Sequence, residues 1–402
     1  MAEKMKKIFL FSHALEIGGA ERALLGLLDS IDYTQYSVDL FLMRHEGALF
    51  NRIPAEVNLL PELPQYASLA TPIRRVICRG QLGVAFGRTV GKFCASYYVK
   101  KHNILHDNCV GLEYSHKYTR VFMPKIAAET YDLAISFLTP HYFVAEKVNA
   151  KKKIAWIHTD YSKVAVNAAS ELAMWDKYDH IASISDAAKD AFAGVFPSLI
   201  PKLLVIENIS SRNLMMQQSL QLNAKSDMPE DESIRLLSVG RYCTAKNFDN
   251  VPDICSRIRA SGLNVKWYII GFGGDEDQIK RKITEAGMQD YVIMLGKKDN
   301  PYPYIKACDL YVQPSRYEGK CVSVREAQIL GKPVVITNYS TSASQLEDGV
   351  DGVIVPMDNE GCARGIADLL RDPEKRKRLA ETCHRRDYSN VQEVEKIYQL
   401  ME

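Results

Sequence analysis

At 402 residues the chain is long for a single hydrophobic core, and the usual domain size of about 100 to 200 residues predicts two domains. Hydrophobic residues make up 47% of the sequence and charged residues 25%, which excludes a disordered chain. Lysine and arginine total 51 against 49 aspartate and glutamate, so the overall charge gives no reason to expect a nucleic-acid partner.

The nine cysteines are scattered, without a C-x-x-C pair or a histidine cluster at zinc-binding spacing. We therefore expect a reduced, cytoplasmic protein without a metal site. The N-terminus leads directly into the strand-like run IFLFS, which is not typical of a signal peptide. Apolar stretches stay well short of the roughly 20 residues that a transmembrane helix needs. Any membrane contact is expected from the surface, at the inner face of the plasma membrane.

The first half of the chain alternates strand-like and helical patterns. A buried strand is expected at Lys6–Ser12, followed by the Gly18-Gly19 turn and a helix whose apolar residues, from Ala20 to Ile31, follow helical spacing. Further strands are expected at Ser37–Met43, Leu133–Phe137, Ile154–Ile157, Ile181–Ile184 and Leu203–Ile206. This alternation indicates a parallel sheet covered by helices.

The segment from Leu63 to His106 contains no aspartate or glutamate. Its basic residues are Arg74, Arg75, Arg79, Arg88, Lys92, Lys100 and Lys101. Apolar residues alternate with them, so we hypothesise peripheral contact with an anionic membrane through residues 73–101. A core-packed helix with a solvated basic face is the alternative. Four glycines argue against one continuous helix here: Gly80, Gly83, Gly87 and Gly91.

A polar, turn-rich stretch at residues 207–233 is predicted to be a linker, after which the strand, turn and helix order recurs. Strands are expected at Ile234–Val239, Val265–Ile270, Val292–Leu295, Leu310–Gln313 and Pro333–Thr337. We predict two doubly wound α/β domains, residues 1–207 and 208–385, which face each other across a ligand cleft. A C-terminal helix within residues 386–402 is expected to pack back on the first domain.

The segment Ser315–Thr337 is the richest in candidate functional residues. It places Glu318 in a loop after a strand and Glu326 eight positions later, in a short helix that ends at Gly331. Backbone N–H groups near the start of that helix belong to Gly319, Lys320, Cys321 and Val322. An anion is stabilised at such a position. On the pattern alone, a surface loop with a capping acid remains an alternative.

This segment resembles the E-x7-E motif of the retaining glycosyltransferases of family 4, which adopt the fold called GT-B. Four further segments match that family in the same order: GGAER at 18–22, AWIHTDY at 155–161, SVGRYCTAKNFD at 238–249 and GFGGD at 271–275. The resemblance spans most of the chain and is strongest in the second half. It implies two facing Rossmann-like domains and a retaining, metal-independent transfer of a sugar.

Carried over by position, the resemblance implies roles for residues of the second domain. Glu326 would hold the donor ribose hydroxyls, and Glu318 would face hydroxyls of the transferred sugar. Arg241 and Lys246 would bind the diphosphate, where cations stabilise the charge that develops on the leaving group. A solvated turn is the alternative for both cations.

In the first domain, Gly18 and Gly19 precede a helix and would allow close approach of phosphate or acceptor. His158 follows an apolar strand, and the resemblance implies that it contacts the donor sugar and the transition state. A hydrogen-bonded structural histidine is the alternative. Asp160 is predicted to orient His158 or to contact the acceptor.

The resemblance also implies the substrates. A nucleotide sugar, with a UDP-sugar favoured, would donate to a glycan or lipid-linked acceptor in bacterial capsule or lipopolysaccharide synthesis, without a separate cofactor. The chain departs from many family members at Lys320 and Cys321, so the donor-sugar preference is not carried over. Arg325 beside Glu326 is also unusual, and an ion pair or an extra charge near the nucleotide would explain it.

Three other functions compete with this interpretation. Asp275 and Asp277 form a D-x-D sequence typical of metal-dependent transferases, but their position at a helix start is explained by N-terminal capping. A dinucleotide oxidoreductase is disfavoured, because the GFGGDE sequence lacks the third glycine of G-x-G-x-x-G. A GT-B hydrolase or epimerase, or a non-catalytic protein that binds nucleotide sugars, stays open.

Overall fold

The computed structural model describes residues 5–16, 18–104, 108–162, 164–222, 224–318 and 320–402. The chain divides into two compact units. The first domain comprises Met1–Ile209 together with Asn390–Glu402, and the second comprises Ser210–Ser389. The sequence expectation placed the end of the first domain at residue 207.

The first domain is built on a seven-stranded parallel sheet. Its strands are β1 (Lys6–Ser12), β2 (Tyr36–Leu42), β3 (Asn58–Leu59), β4 (Thr130–Ser136), β5 (Asn149–Ile157), β6 (His180–Ser183) and β7 (Leu203–Val205). The order across the sheet is β3-β2-β1-β4-β5-β6-β7, so the winding direction reverses between β1 and β4. The short edge strand β3 is a finding that the sequence pattern did not predict.

The helices of the first domain that precede residue 209 connect these strands. They are α1 (Gly19–Ser30), α2 (Pro64–Ala67), α3 (Ile73–Cys78), α4 (Leu82–Lys101), α5 (Val110–Thr119), α6 (His141–Lys147), α7 (Ala168–Trp175) and α8 (Asp186–Val195). Apolar residues Ile8, Phe9, Leu10 and Phe11 of β1 are fully buried, as expected for a central strand covered on both faces.

Helix α4 runs unbroken through 20 residues, so the expectation that glycines interrupt it was wrong. Its glycines lie on the side that packs against α5. A Cβ atom at Gly87 would lie 2.7 Å from the backbone oxygen of Tyr118, and one at Gly91 would lie 2.7 Å from that of Tyr114. The glycines therefore allow the two helices to approach closely, and this packing offsets their poor helix propensity.

The opposite side of α4 exposes large apolar side chains. Leu82, Phe86, Phe93 and Tyr97 are 64%, 64%, 74% and 63% exposed, and their spacing places them along one stripe of the helix. We call these four residues the apolar stripe. Arg88 does not join it, because its guanidinium donates to the backbone oxygens of Ser68, at 2.8 Å, and of Thr71.

The second domain contains a six-stranded parallel sheet. Its strands are β8 (Ile234–Val239), β9 (Val265–Ile270), β10 (Val292–Gly296), β11 (Leu310–Gln313), β12 (Val334–Thr337) and β13 (Val353–Val355). The order is β10-β9-β8-β11-β12-β13, and the winding reverses between β8 and β11. This sheet and that of the first domain confirm the predicted pair of doubly wound α/β domains. Strand β13 was not predicted.

The helices of the second domain are α9 (Arg212–Ser219), α10 (Val251–Ala260), α11 (Glu276–Glu285), α12 (Tyr302–Ala307), α13 (Val322–Ile329), α14 (Ser342–Gln345), α15 (Asn359–Arg371) and α16 (Pro373–Arg385). Helix α9 lies within the stretch predicted to be a linker, so that prediction was wrong in part. The Ser211 side chain caps α9 by accepting from the backbone N–H of Leu214 at 3.1 Å, and Met215 packs into the core.

The last helix, α17 (Glu393–Gln399), packs on the first domain. The ring of Tyr398 stacks on that of Tyr36 with centroids 4.1 Å apart, and its hydroxyl accepts from the backbone N–H of Asp32 at 2.9 Å. Lys396 donates to the backbone oxygen of Val205 at 3.1 Å. The chain therefore returns to its first domain after completing the second.

Candidate functional site

Two loops of the second domain follow neighbouring strands where the winding of the sheet reverses. One loop follows β8 and carries Lys246 as the last residue of a short 3-10 turn, Thr244–Lys246. The other follows β11 and carries Glu318. Strands β8 and β11 pair in parallel, so both loops leave the same edge of the sheet. Doubly wound proteins bind ligands at such a reversal.

Lys246 and Glu318 form an ion pair in this position. The ammonium of Lys246 lies 2.6 Å from Oε1 of Glu318, which also accepts from the Ser315 hydroxyl at 2.6 Å. Both side chains are mostly buried, with 17% and 12% of their surface exposed. Burial works against the ammonium, whereas Cys321 and Glu318 beside it favour it, so the pKa of Lys246 is raised. Lys246 is therefore a fixed positive charge.

Further contacts hold the two loops together. Arg316 forms a two-pronged ion pair with Asp249 at 2.8 and 2.7 Å, and its backbone N–H donates to the oxygen of Ala245 at 2.8 Å. Asn247, in a left-handed conformation with φ of 60°, donates to the oxygen of Pro314 at 2.9 Å. These bonds fix the backbone on both sides of the Lys246–Glu318 pair.

Glu326 lies on α13 and is 1% exposed. Its Oε1 accepts from the Tyr302 hydroxyl at 2.9 Å, so a phenol on α12 orients this carboxylate. Tyr302 was not predicted, because a partner 24 positions away leaves no local pattern. The neighbouring Arg325 places its guanidinium 5.4 Å from the centre of the Tyr388 ring, which gives this unusual residue a structural partner.

The start of α13 differs from the expectation at one backbone group. The N–H of Cys321 donates to Oε1 of Gln345 at 2.7 Å, so this N–H does not face an anion as predicted. Burial raises the pKa of the Cys321 thiol, whose sulfur lies 3.5 Å from the Lys246 ammonium. Val322 is the first residue of α13, Lys320 is half-buried, and Gly319 lies outside the described residues.

Arg241 follows Gly240 at the end of β8 and is exposed. Within the described part of the chain, its guanidinium makes no hydrogen bond or ion pair, which leaves it available to a ligand. The GFGGD loop packs against the same turn, and the backbone N–H of Tyr242 donates to the oxygen of Phe272 at 2.9 Å. A Cβ at Gly271 would lie 1.9 Å from the backbone oxygen of Gly240, so only glycine permits this approach.

The acids of the D-x-D sequence lie at the start of α11. Asp275 immediately precedes the helix, but its carboxylate makes no capping hydrogen bond, which corrects the expected explanation. Glu276 forms an ion pair with Lys280 at 2.7 Å. Acids at this position stabilise the helix dipole. Among the described residues, no group of three or more histidine, cysteine, aspartate or glutamate side chains has an arrangement that could hold a metal ion.

In the first domain, Gly18 and Gly19 lie at the start of α1, as the sequence predicts. Gly18 precedes the helix with an extended backbone, and Gly19 is its first residue. The carboxylate of Glu21 folds back over Gly18, since a Cβ there would lie 2.0 Å from Oε2 of Glu21. Burial raises the pKa of Glu21. An acid therefore covers the turn that was predicted to approach phosphate or acceptor.

His158 directly follows β5, and its ring packs against Phe137 with centroids 4.6 Å apart. Burial lowers the pKa of His158 to about 4, although a hydrogen bond to the backbone of Phe137 opposes this shift. The imidazole is therefore neutral at pH 7. Its Nε2 is buried and has no hydrogen-bond partner among the described residues. This nitrogen is available to a ligand.

Asp160 does not orient His158, which corrects one of the two predicted roles. Its carboxylate accepts from the backbone N–H of Ser162 at 2.9 Å and from the Ser162 hydroxyl at 2.6 Å, within its own loop. The backbone of Phe137, at the end of β4, takes the orienting role instead. Contact of Asp160 with the acceptor stays a prediction.

Sequence reasoning missed buried ionisable residues near His158. Burial lowers the pKa of His13, His116 and His141, and the value for His141 is about 3. Two carboxyl groups are also buried, Glu113 on α5 and Glu171 on α7. Burial raises the pKa of Glu171 to about 7. These residues come from distant parts of the chain, and their sequence spacing does not reveal that they meet.

Within the described ranges, no helix combines the length and the apolar composition needed to cross a bilayer.

Residues 221–386 match the family described as glycosyl transferases group 1. The lipopolysaccharide core biosynthesis glycosyltransferase LpsE of Rhizobium meliloti is 30% identical over 162 residues, which are 40% of this chain and 46% of that protein.

A transferase of Campylobacter jejuni, N-acetylgalactosamine-N,N'-diacetylbacillosaminyl-diphospho-undecaprenol 4-alpha-N-acetylgalactosaminyltransferase, is 30% identical over 144 residues. The match covers 35% of this chain and 39% of that protein, so the chain spans less than half the length of each of these two relatives. The crystal structure of the Anabaena protein HepE in complex with UDP and glucose is similar with a TM-score of 0.66 at 18% identity. The similarity covers 98% of both chains and shows the fold.

Proposed function

We propose, from the match of residues 221–386 to the glycosyl transferases group 1 family, that this chain transfers a sugar from a nucleotide diphosphate donor to an acceptor. The observation that carries the proposal is the Lys246–Glu318 pair, held in the same domain where the sheet reverses its winding. A cation binds the diphosphate, and a carboxylate at the same position binds sugar hydroxyls. A nucleotide-sugar donor contains both a diphosphate and sugar hydroxyls.

The proposed chemistry is a substitution at the anomeric carbon. The bond from this carbon to the diphosphate breaks, and the nucleoside diphosphate gains negative charge, which Lys246 and Arg241 stabilise. The acceptor oxygen forms the new bond on the face that the nucleotide leaves, and its proton passes to a donor phosphate oxygen. The anomeric configuration is thereby retained. Glu326 holds the ribose, and the neutral His158 contacts the donor sugar.

We propose that a UDP-sugar is the donor and that the reaction belongs to bacterial surface polysaccharide synthesis. Two comparisons support this. HepE binds UDP in its crystal structure, and LpsE takes part in lipopolysaccharide core biosynthesis. By its name, the Campylobacter transferase acts on a sugar linked to diphospho-undecaprenol. This supports a glycan or lipid-linked acceptor for this chain.

Turnover with and without a chelator tests the metal-independent part of the proposal. We expect the rate to stay nearly unchanged in chelator, since Arg241 and Lys246 supply the positive charge at the diphosphate. Loss of activity that magnesium or manganese restores would contradict it. Glu326→Ala is expected to weaken donor binding, and His158→Ala to lower turnover at saturating donor. Donor cleavage that never yields a glycosylated acceptor would favour a hydrolase.

Contact with an anionic membrane is the second part of the proposal. The apolar stripe of α4 supports it, because such exposed aromatic side chains are typical of a surface that enters the lipid headgroup region. Arg74, Arg75 and Arg79 on and after α3 are exposed and lie in the segment without acidic residues. Their charges are complementary to anionic lipid.

Liposome flotation tests this contact with vesicles of phosphatidylcholine alone and of phosphatidylcholine with phosphatidylglycerol. Because each basic residue near the surface contributes about 1 kcal/mol, replacing Arg74, Arg75 and Arg79 by glutamine is expected to weaken binding to the anionic vesicles by about a hundredfold before salt screening. Replacing Phe86, Phe93 and Tyr97 by serine is expected to weaken binding to both. The control replaces Leu220 and Leu222, which are exposed apolar residues of the second domain, by serine. Equal binding of all variants to the vesicles would contradict the proposed membrane contact.

A further inference from the structure

An open groove of about 360 Å³ lies on the first domain between α3, α4 and α5. None of the residues assigned to the candidate site lines it. Helix α4 contributes Arg88, Lys92 and Ser96 to the groove, α5 contributes Ser115, and α3 contributes Ile73. Because the three residues of α4 are spaced four apart, they lie along one stripe of the helix. Two cations and a hydroxyl group are therefore neighbours in this groove.

Arg88 is a half-buried cation whose position is fixed. Its Nη1 donates to the backbone oxygens of Ser68, at 2.8 Å, and of Thr71. Within the described residues, the other guanidinium nitrogens make no hydrogen bond and no carboxylate pairs with the side chain. Burial lowers the pKa of Arg88, and no acid offsets this shift. Because burial of an unpaired charge is costly, an anion in the groove would compensate it.

Lys92 adds a second cation one helical turn further along. Its side chain is exposed and, in the part of the chain that the structure describes, makes no ion pair or hydrogen bond. An arginine offers a planar fork of N–H donors and a lysine offers a compact charge with three donors, and phosphate oxygens accept from both. Ser96 and Ser115 add hydroxyl donors to the same groove. This set of groups is complementary to a phosphate group.

Acidic side chains do not oppose such a ligand. The described residues that line the groove include no aspartate or glutamate, and residues 63–106 contain none in sequence. Helix α5 has a single acid, Glu113, which does not line the groove. Its Oε1 accepts instead from the hydroxyls of Tyr142 at 2.5 Å and Ser170 at 2.9 Å. The potential in the groove is therefore positive.

We propose that this groove binds a phosphate group through Arg88 and Lys92. The phosphate belongs either to a lipid headgroup or to a soluble phosphate ester. Phe93 and Tyr97 of the apolar stripe directly follow Lys92 and Ser96, so the stripe lies on the adjoining face of α4. A membrane that meets the stripe would bring its phosphates within reach of the groove. The site is independent of sugar transfer, and only its lipid source rests on the membrane contact proposed above.

Acetylation of the full-length chain by N-hydroxysuccinimidyl acetate, measured at each lysine by peptide mass spectrometry, tests the site. The soluble probes are inorganic phosphate and glycerol 1-phosphate, and the lipid probes are phosphatidylcholine vesicles with and without phosphatidate. Chloride at equal ionic strength is the reference. Acetylation of Lys92 should slow about tenfold when the probe is at about ten times its dissociation constant, because only the unoccupied groove reacts. Lys101 is the internal control, since it is exposed on the same helix and does not line the groove.

Two variants locate the effect in the groove. Arg88→Gln should abolish the protection of Lys92, and circular dichroism checks its fold because Arg88 also holds the backbone of Ser68 and Thr71. Ser96→Asp leaves those hydrogen bonds in place and changes an exposed position. It introduces a negative charge into the groove and should also abolish the protection.

Protection of Lys92 by the soluble probes supports the site with a free phosphate ester as its ligand. Protection only by vesicles that contain phosphatidate supports the site with a lipid headgroup. The inference would be overturned if no probe protected Lys92, if the soluble probes protected Lys101 equally, or if the protection survived in both variants. Flotation separates this inference from the membrane contact. Vesicle binding without protection of Lys92 removes this inference alone, whereas protection by soluble probes without vesicle binding contradicts the membrane contact alone.

Discussion

The Lys246 ammonium lies 2.6 Å from Oε1 of Glu318, although 72 residues of the chain separate them. The pair joins the loops after two neighbouring strands, so it brings opposite charges to one position at the edge of the sheet. A diphosphate that binds Lys246 also comes close to the Glu318 carboxylate. The two residues should therefore respond to mutation in opposite directions.

We predict that Glu318→Gln lowers turnover strongly but does not weaken the binding of UDP alone. The substitution removes a negative charge beside Lys246, so UDP binding should stay equal or become up to about tenfold tighter, as expected for a partly buried charge pair. Calorimetry with UDP measures the binding affinity, and a turnover assay measures the loss of activity. Weaker UDP binding by Glu318→Gln would mean that this carboxylate holds the nucleotide rather than the sugar.

Tyr302→Phe tests how the buried Glu326 is held. The change removes the hydroxyl that donates to Oε1 of Glu326, and it should destabilise the second domain by about 1–3 kcal/mol in urea unfolding. Donor binding should weaken with it, because the carboxylate loses its fixed orientation. Tyr317→Phe is the matched control, since Tyr317 is 56% exposed and lies in the loop that carries Glu318. Equal stability of both variants would show that the Tyr302 hydroxyl does not hold Glu326.

Gly87→Ala tests the close packing of α4 on α5. A Cβ at this position would lie 2.7 Å from a backbone oxygen, and backbone atoms cannot move aside cheaply, so we expect a loss of about 1–3 kcal/mol in the free energy of unfolding. Gly111→Ala on α5 has open space around its Cβ and should instead gain up to about 1 kcal/mol from helix propensity. Thermal unfolding of both variants shows whether each one is less or more stable than the wild type. A stabilising Gly87→Ala would contradict the packing.

Glu171 should make the stability of the first domain depend on pH. Burial raises its pKa from 4.5 to about 7, so the folded carboxyl keeps a proton that the unfolded chain releases between these values. The contribution to stability is present below pH 4.5 and is lost as the pH rises through 7. Glu171→Gln removes this loss. Relative to the wild type, the variant should therefore gain about 3 kcal/mol between pH 4.5 and pH 7.5.

Urea unfolding at several pH values measures this difference. In a Trp267→Phe background, the fluorescence comes from Trp156 and Trp175 of the first domain alone. The buried histidines are common to both proteins, so their contribution cancels in the comparison. A difference in the free energy of unfolding that stays constant from pH 4.5 to pH 7.5 would show that Glu171 ionises normally in the folded chain.

The strands of the second domain were the most predictable part of the fold. Strands β8, β9 and β11 have the predicted bounds, since parallel strands covered on both faces are continuous apolar runs. The edge strand β3 spans only Asn58–Leu59 and leaves no such run. Helix α4 was mispredicted for another reason: its glycines count against a helix in isolation, and their close contact with α5 exists only in the folded domain.

The sequence correctly placed Lys246, Glu318 and His158 after strands, and their roles stay predictions. The candidate site was not predictable where the partner is distant in sequence. Tyr302 beside Glu326 and the buried Glu113 near His158 meet only through tertiary packing. The hydrogen bond from the backbone N–H of Cys321 was not predictable for the same reason, because its acceptor, Gln345, lies on another helix.

The binding of UDP in the presence of a chelator, measured by isothermal titration calorimetry, tests the central claim most directly. Wild-type protein is predicted to bind UDP at one site without metal. Lys246→Met should weaken this binding by roughly ten- to a hundredfold, as expected for the loss of a charge-assisted contact, whereas Lys282→Met on α11 should leave it unchanged. Absence of UDP binding by the wild type, binding that appears only with magnesium or manganese, or an unchanged affinity in Lys246→Met would contradict the claim.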